Sequence, residues 1–169
     1  MFILSGEKTE LSLKLACESI SRMLVGAYLD CFSVSSIVVS LKFINDSSCA
    51  GHSLYVENEF SCDAVIRTDD NFETNYSAED FFTRRAKFLS DIYSLIGMEV
   101  TKIDLGVDGS LSISIGESIV FVKISEEDGE EGDSAWKVEM EASADHVVSA
   151  VSSVVCVPDD GGVTFFSWR

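Results

Sequence analysis

The sequence predicts an α+β protein: two amphipathic helices packed on a mainly antiparallel sheet, with a C-terminal half that is a hairpin-rich β meander. Three patterns point there. Leu13, Ala16, Ile20, Met23, Leu24 and Ala27 recur at three- and four-residue spacing, which places them on one helical face. Phe82, Ala86, Leu89, Tyr93 and Ile96 repeat that spacing further on. Beyond residue 98 the period drops to two, at Leu111, Ile113 and Ile115 and again at Trp136, Val138 and Met140. Successive side chains leave a strand on opposite sides, so this alternation marks strands with one buried face.

In chain order, a short strand at Phe2-Ile3-Leu4 precedes a helix expected over Lys8 to Leu29. Ile37 to Ile44 is nearly continuous in apolar content and rich in β-branched residues, as a well-buried strand would be. Asn45-Asp46-Ser47-Ser48 is turn chemistry. Leu54 to Ile66 then reads as one strand, with Glu57, Glu59 and Asp63 on its exposed face. Ser77 is the expected N-cap of the second helix, acids fill its first turn, and Gly97 ends it in the left-handed region. From Leu95 to Ala142 the chain reads as four consecutive antiparallel strands, with Asp108-Gly109 at a hairpin. Val147 to Val157 and Val163 to Trp168 are two more strands, joined through Pro158-Asp159-Asp160-Gly161-Gly162. The expectation is a single domain over 1–169: helix, two strands and a helix over 1–97, then the meander over 98–169.

At 169 residues the chain is long enough to bury a core without staples. The opening MFILSGEKTE has no basic region and only a short apolar run, and no stretch has the length of a membrane span. A cytoplasmic location is expected. Five cysteines with no CxxC spacing, and His52 and His146 far apart, predict reduced thiols and no metal or other cofactor. Asp69, Asn71, Glu73 and Asn75 have calcium-loop oxygens. Thr74 stands where the loop needs glycine, however, and Asp80 where it needs glutamate.

No nucleophile elbow, zinc-protease, P-loop or dinucleotide motif occurs, and an enzyme is not expected. His52, in a Gly51-His52-Ser53 turn, and His146 read as solvated loop residues. Arg84, Arg85 and Lys87 are the only basic cluster, and they are expected to pair with nearby carboxylates.

Charge is the compositional outlier. The 29 acids and 12 bases give −17, a field that repels nucleic acid and anionic membranes and attracts basic partners. Six of the acids crowd into one loop: Glu126, Glu127, Asp128, Glu130, Glu131 and Asp133. Together with Glu57, Glu59 and Asp63 they are the candidate partner-binding residues, because a carboxylate array can engage the same Arg and Lys side chains that phosphates would.

Leu95-Ile96-Gly97 before a strand, Asp108-Gly109-Ser110-Leu111, and Trp136 after an acidic loop resemble small bacterial immunity proteins. These are encoded beside polymorphic or contact-dependent growth-inhibition toxins. The resemblance covers 95–142. It implies a non-enzymatic cytoplasmic inhibitor that binds one cognate toxin domain tightly and blocks its active site, and the acidic surfaces add the expectation that this toxin is basic and nuclease-type. A dimeric secretion chaperone for an effector protein and a nucleic-acid mimic are the alternative readings. Trp136 shares the parity of Val138 and Met140 and is expected in the core.

Overall fold

The computed structural model describes residues 8–35, 38–45, 48–56, 65–67, 81–122, 124, 134–140, 153–159 and 162–168. The elements run β1 (Lys8–Leu11), α1 (Leu13–Leu24), β2 (Tyr28–Ser35), β3 (Val38–Asn45), β4 (Ser48–Val56), β5 (Val65–Arg67) and α2 (Phe81–Ser94). They continue with β6 (Val100–Leu105), β7 (Leu111–Ile115), β8 (Ser118–Val122), β9 (Trp136–Met140), β10 (Ser153–Asp159) and β11 (Gly162–Trp168). A seven-stranded sheet has the order β1-β11-β10-β9-β4-β3-β2, and a four-stranded sheet the order β5-β8-β7-β6. Every pairing among the described strands is antiparallel. The fold is α+β, as expected, and one apolar core draws on both sheets and both helices.

The first helix is shorter at both ends than the periodicity predicts. Lys8 to Leu11 instead forms an edge strand whose partners run from Trp168 back to Phe165. Ser12 then caps α1, its hydroxyl accepting from the Leu15 amide at 3.4 Å. At the other end Gly26, with φ +84°, turns the chain straight into β2. The apolar spacing continues to Ala27 because that residue, just ahead of β2, is also buried. Ala16, Ile20, Met23 and Leu24 are buried as read, and α1 lies against β6.

Along and just after the second helix, partly buried Phe88 and buried Ile92 and Leu95 face the core, one residue away from the predicted stripe. Ala86 is exposed, and Tyr93 and Ile96 are 71% and 39% exposed. Both sets of positions satisfy helical spacing, so periodicity alone does not choose between them. Gly97 does adopt the left-handed conformation, at φ +82°.

Two further readings are corrected. Leu54 to Ile66 is not one strand: β4 belongs to the larger sheet and β5 to the smaller. The four strands after Leu95 are not consecutive in a single sheet either. β6, β7 and β8 form a meander, but β9 pairs with β4 and β10 in the other sheet. The meander expected over 98–169 is therefore divided between the sheets. Asp108-Gly109 does lie between two paired strands, in a five-residue loop that leaves Leu105 paired with Leu111. The strands at Phe2-Ile3-Leu4 and at the start of Val147 to Val157, and the Ser77 cap, fall outside the described residues.

The register exposes an internal repeat. Helix, glycine and three strands occur twice, as α1-Gly26-β2-β3-β4 and as α2-Gly97-β6-β7-β8. In the first copy Leu29 pairs with Phe43, a bulge follows, and Phe32 and Val34 then pair with Leu41 and Val39. In the second, Val100 pairs with Ile115, a bulge follows, and Ile103 and Leu105 pair with Ile113 and Leu111. Even the bulges coincide. The copies meet where Gly26 donates to Val100 (2.9 Å) and Val100 to Ala27 (2.8 Å), while Gly97 donates to Leu29 (2.7 Å) and Leu29 to Met98 (3.1 Å). Each copy then gives its next strand to the other. β5 follows β4 but pairs with β8, and β9 follows β8 but pairs with β4.

Nothing lies within 4 Å of a Cβ built on Gly26 or Gly97, so alanine there costs only the positive φ. Gly26→Ala and Gly97→Ala are each expected to lower unfolding free energy by about 1 kcal/mol in urea titrations. Gly109, at φ +79°, has the Ile124 Cδ1 at 2.5 Å and the Val163 Cγ1 at 2.9 Å from such a carbon. Gly109→Ala is therefore expected to cost more, about 2–4 kcal/mol.

Candidate interaction surface

The nine predicted partner-binding residues, Glu57, Glu59, Asp63, Glu126, Glu127, Asp128, Glu130, Glu131 and Asp133, lie outside the described residues. The strands that flank them are described, and the flanks locate both connections. The first leaves β4 at Val56, which is paired with Trp136, the residue at which the second arrives in β9. The first arrives at Val65, opposite Val120 in β8, and the second leaves from Val122, at the end of that strand. Both connections therefore join the same two sheet ends, in opposite directions. Strand parity gave Glu57, Glu59 and Asp63 a sheet face to share, and the passage of the chain from one sheet to the other removes that premise. Connections 57–64 and 123–135 hold nine carboxylates against Lys123 alone.

Trp136 is fully buried, as its parity implied. Its indole Nε1 donates to the Gly109 carbonyl at 2.9 Å, and its ring stands 6.1 Å from that of Phe165. A buried indole N–H needs an acceptor, and this one is supplied by the β6–β7 loop, which is thereby fastened to the larger sheet. The loop is braced internally as well. Gly106 donates to Ser110 at 2.8 Å and Gly109 to Gly106 at 3.0 Å, while Asp108 accepts from the Ser110 amide and hydroxyl at 3.1 and 2.6 Å. A Cβ on Gly106 would run into the Asp108 carboxylate and the Ser110 hydroxyl. The sequence marked this loop only as a turn.

Beside the loop is a shallow groove lined by Glu10, Leu11, Leu13, Val107, Val163, Thr164 and Phe165. Its volume is about 200 Å³, below the roughly 300 Å³ at which small-molecule pockets begin. No sequence pattern singled it out, because its walls come from β1, β11 and a loop remote from both in the chain.

His52 is not in a turn. It lies within β4, between Phe43 and Met140 on the neighbouring strands, and only 7% of it is exposed. It occupies the register position that Ser118 holds in the second copy, so strand packing accounts for its burial. His146 lies outside the described residues, as do the oxygen-rich stretch from Asp69 to Asp80 and the side chains of Arg84 and Arg85. Among the described residues no three His, Cys, Asp or Glu side chains group to hold a metal, and no described helix is long and apolar enough to cross a membrane. Cys17, Cys31 and Cys156 are in no disulfide.

The Cys156 sulfur would lie 3.0 Å from a Cβ on Gly109. Burial, with a smaller contribution from the Asp108 carboxylate, pushes this thiol from an ordinary 9.0 up to about 12. The unfolded chain ionises first, so this contribution to stability is whole below about pH 9 and is lost as pH rises towards 12. Cys156→Ala is expected to flatten the alkaline fall in stability, compared by urea denaturation at pH 8, 9.5 and 11. In the native protein at pH 8, iodoacetamide is expected to label exposed Cys31 and to spare Cys156.

Comparison with known proteins returned no matching family model, no matching curated protein and no matching solved structure.

Proposed function

We propose that this chain is an immunity protein that neutralises a basic, nuclease-type toxin domain by direct binding, with the two acidic connections forming one carboxylate face. The supporting observation is their shared anchorage: Val56 beside Trp136 at one end, and Val65 opposite β8 at the other. Two segments that span the same gap and hold nine carboxylates between them repel each other, and that cost is offset when lysines and arginines of a partner enter the gap. The face is non-enzymatic. It acts by occupying the cationic groove in which the toxin would hold nucleic acid, and its long-range field speeds the encounter.

The antiparallel core supplies what such an inhibitor needs, which is a rigid base for the two connections. Backbone hydrogen bonds between Gly26–Leu29 and Gly97–Val100 join the two sheets that the connections bridge.

A toxin gene is expected directly upstream of this one. Its isolated toxin domain should arrest growth when expressed, and this chain should restore it. Replacing Glu126, Glu127, Glu130 and Glu131 with Gln and Asp128 and Asp133 with Asn is expected to slow association with that domain by about tenfold at low salt and to flatten its salt dependence. The same treatment of Glu57, Glu59 and Asp63 should have a smaller effect in the same direction. Unchanged association rates in both variants, measured by surface plasmon resonance, would rule out the carboxylate face.

A further inference from the structure

We propose that the groove between β1, β11 and the β6–β7 loop is a second docking site, for an extended segment of a partner protein with an apolar side chain flanked by lysine or arginine. The site is built from described side chains, and the proposal stands whether or not the acidic connections bind a toxin. Val107 at its lip is 83% exposed, the highest exposure among the described large apolar residues. An exposed valine on a loose loop would have little consequence. Here Trp136 and the Gly106–Ser110 bonds hold the backbone on both sides of it, so a partner that covers Val107 orders almost nothing on this protein.

Size and charge select the occupant. A volume of about 200 Å³ fits one apolar side chain better than a small-molecule ligand. The apolar walls, Leu11, Leu13, Val163 and Phe165, would receive it. The only charged residue in the lining is Glu10, and exposed Asp108 adjoins Val107, so the rim matches a cationic neighbour on either side of the buried group. β1 also ends the seven-stranded sheet.

The test must separate docking in the groove from attraction to a protein of charge −17. Val107→Asp does this, because it adds a negative charge while removing the apolar lip, and at 83% exposure it leaves the core untouched. The probe is a fluorescent octapeptide of alternating lysine and leucine, with a glutamate–leucine octapeptide as control, followed by polarisation at 150 mM salt. The wild-type protein is expected to bind the cationic peptide and not the control, and Val107→Asp to weaken binding at least fivefold. A chain with the six acids of 126–133 neutralised is expected to bind within twofold of wild type. Equal or tighter binding by Val107→Asp would overturn the groove, as would loss of binding in the loop-neutralised chain, which would assign the peptide to the acidic connections.

Discussion

Four backbone hydrogen bonds between Gly26–Leu29 and Gly97–Val100 hold the rest of the fold in place. Each is worth only about 0.5–1.5 kcal/mol net, yet together they weld the edge of one sheet to the edge of the other. They also set the point about which the two helix–strand copies are arranged. Both glycines are favoured there because the chain leaves a helix and enters a strand within three to five residues, through positive φ. With this junction fixed, α1 lies on β6 and α2 near β2, and each copy covers part of the other's apolar face. The core is therefore joint property of the two halves and cannot be assigned to either.

The asymmetry of the molecule begins where the repeat ends. β9 continues into β10, β11 and finally β1, and the four-stranded sheet has no such extension among the described residues. The extra strands create the surface onto which the β6–β7 loop is fastened by Trp136. The corresponding β2–β3 connection leaves Ser35 paired directly with Val38, so it has two residues where the β6–β7 loop has five. The groove lies beside that loop.

Much of the local structure could be read from residue patterns. Ala16, Ile20 and Leu24 are on the buried face of a helix, Leu111, Ile113 and Ile115 alternate as a half-buried strand, and Trp136 is in the core. Two kinds of information were missing. Periodicity measures a face only to within a residue, and the chain buries Ile92 and Leu95 while leaving Ala86, Tyr93 and Ile96 exposed. Sheet membership is not local at all: Leu54, Val65 and Val138 look alike as strand residues, and nothing near them says that the chain changes sheets after Val56 and again after Val122. The repeat was visible in Leu24-Val25-Gly26 and Leu95-Ile96-Gly97, but two tripeptides are a faint trace without the matching bulges. The charge of the candidate residues was plain from composition, and their common anchorage came only with the register.

The exchanged strands also bear on how the protein is made. A ribosome delivers β4 long before β9, so the Leu54 edge of the larger sheet waits for a partner some 80 residues downstream. At about 5–20 residues per second, that is roughly 4–16 seconds of synthesis. β1 waits longer still, until β11 has emerged. During this interval the nascent chain carries an open, apolar strand edge, the kind of surface that pairs with neighbours and aggregates. Glu57, Glu59 and Asp63, just after β4, emerge early in that interval, and like charges of this kind oppose association between chains. Carboxylates read as a binding surface in the finished protein would then already serve as a solubilising guard on the polysome.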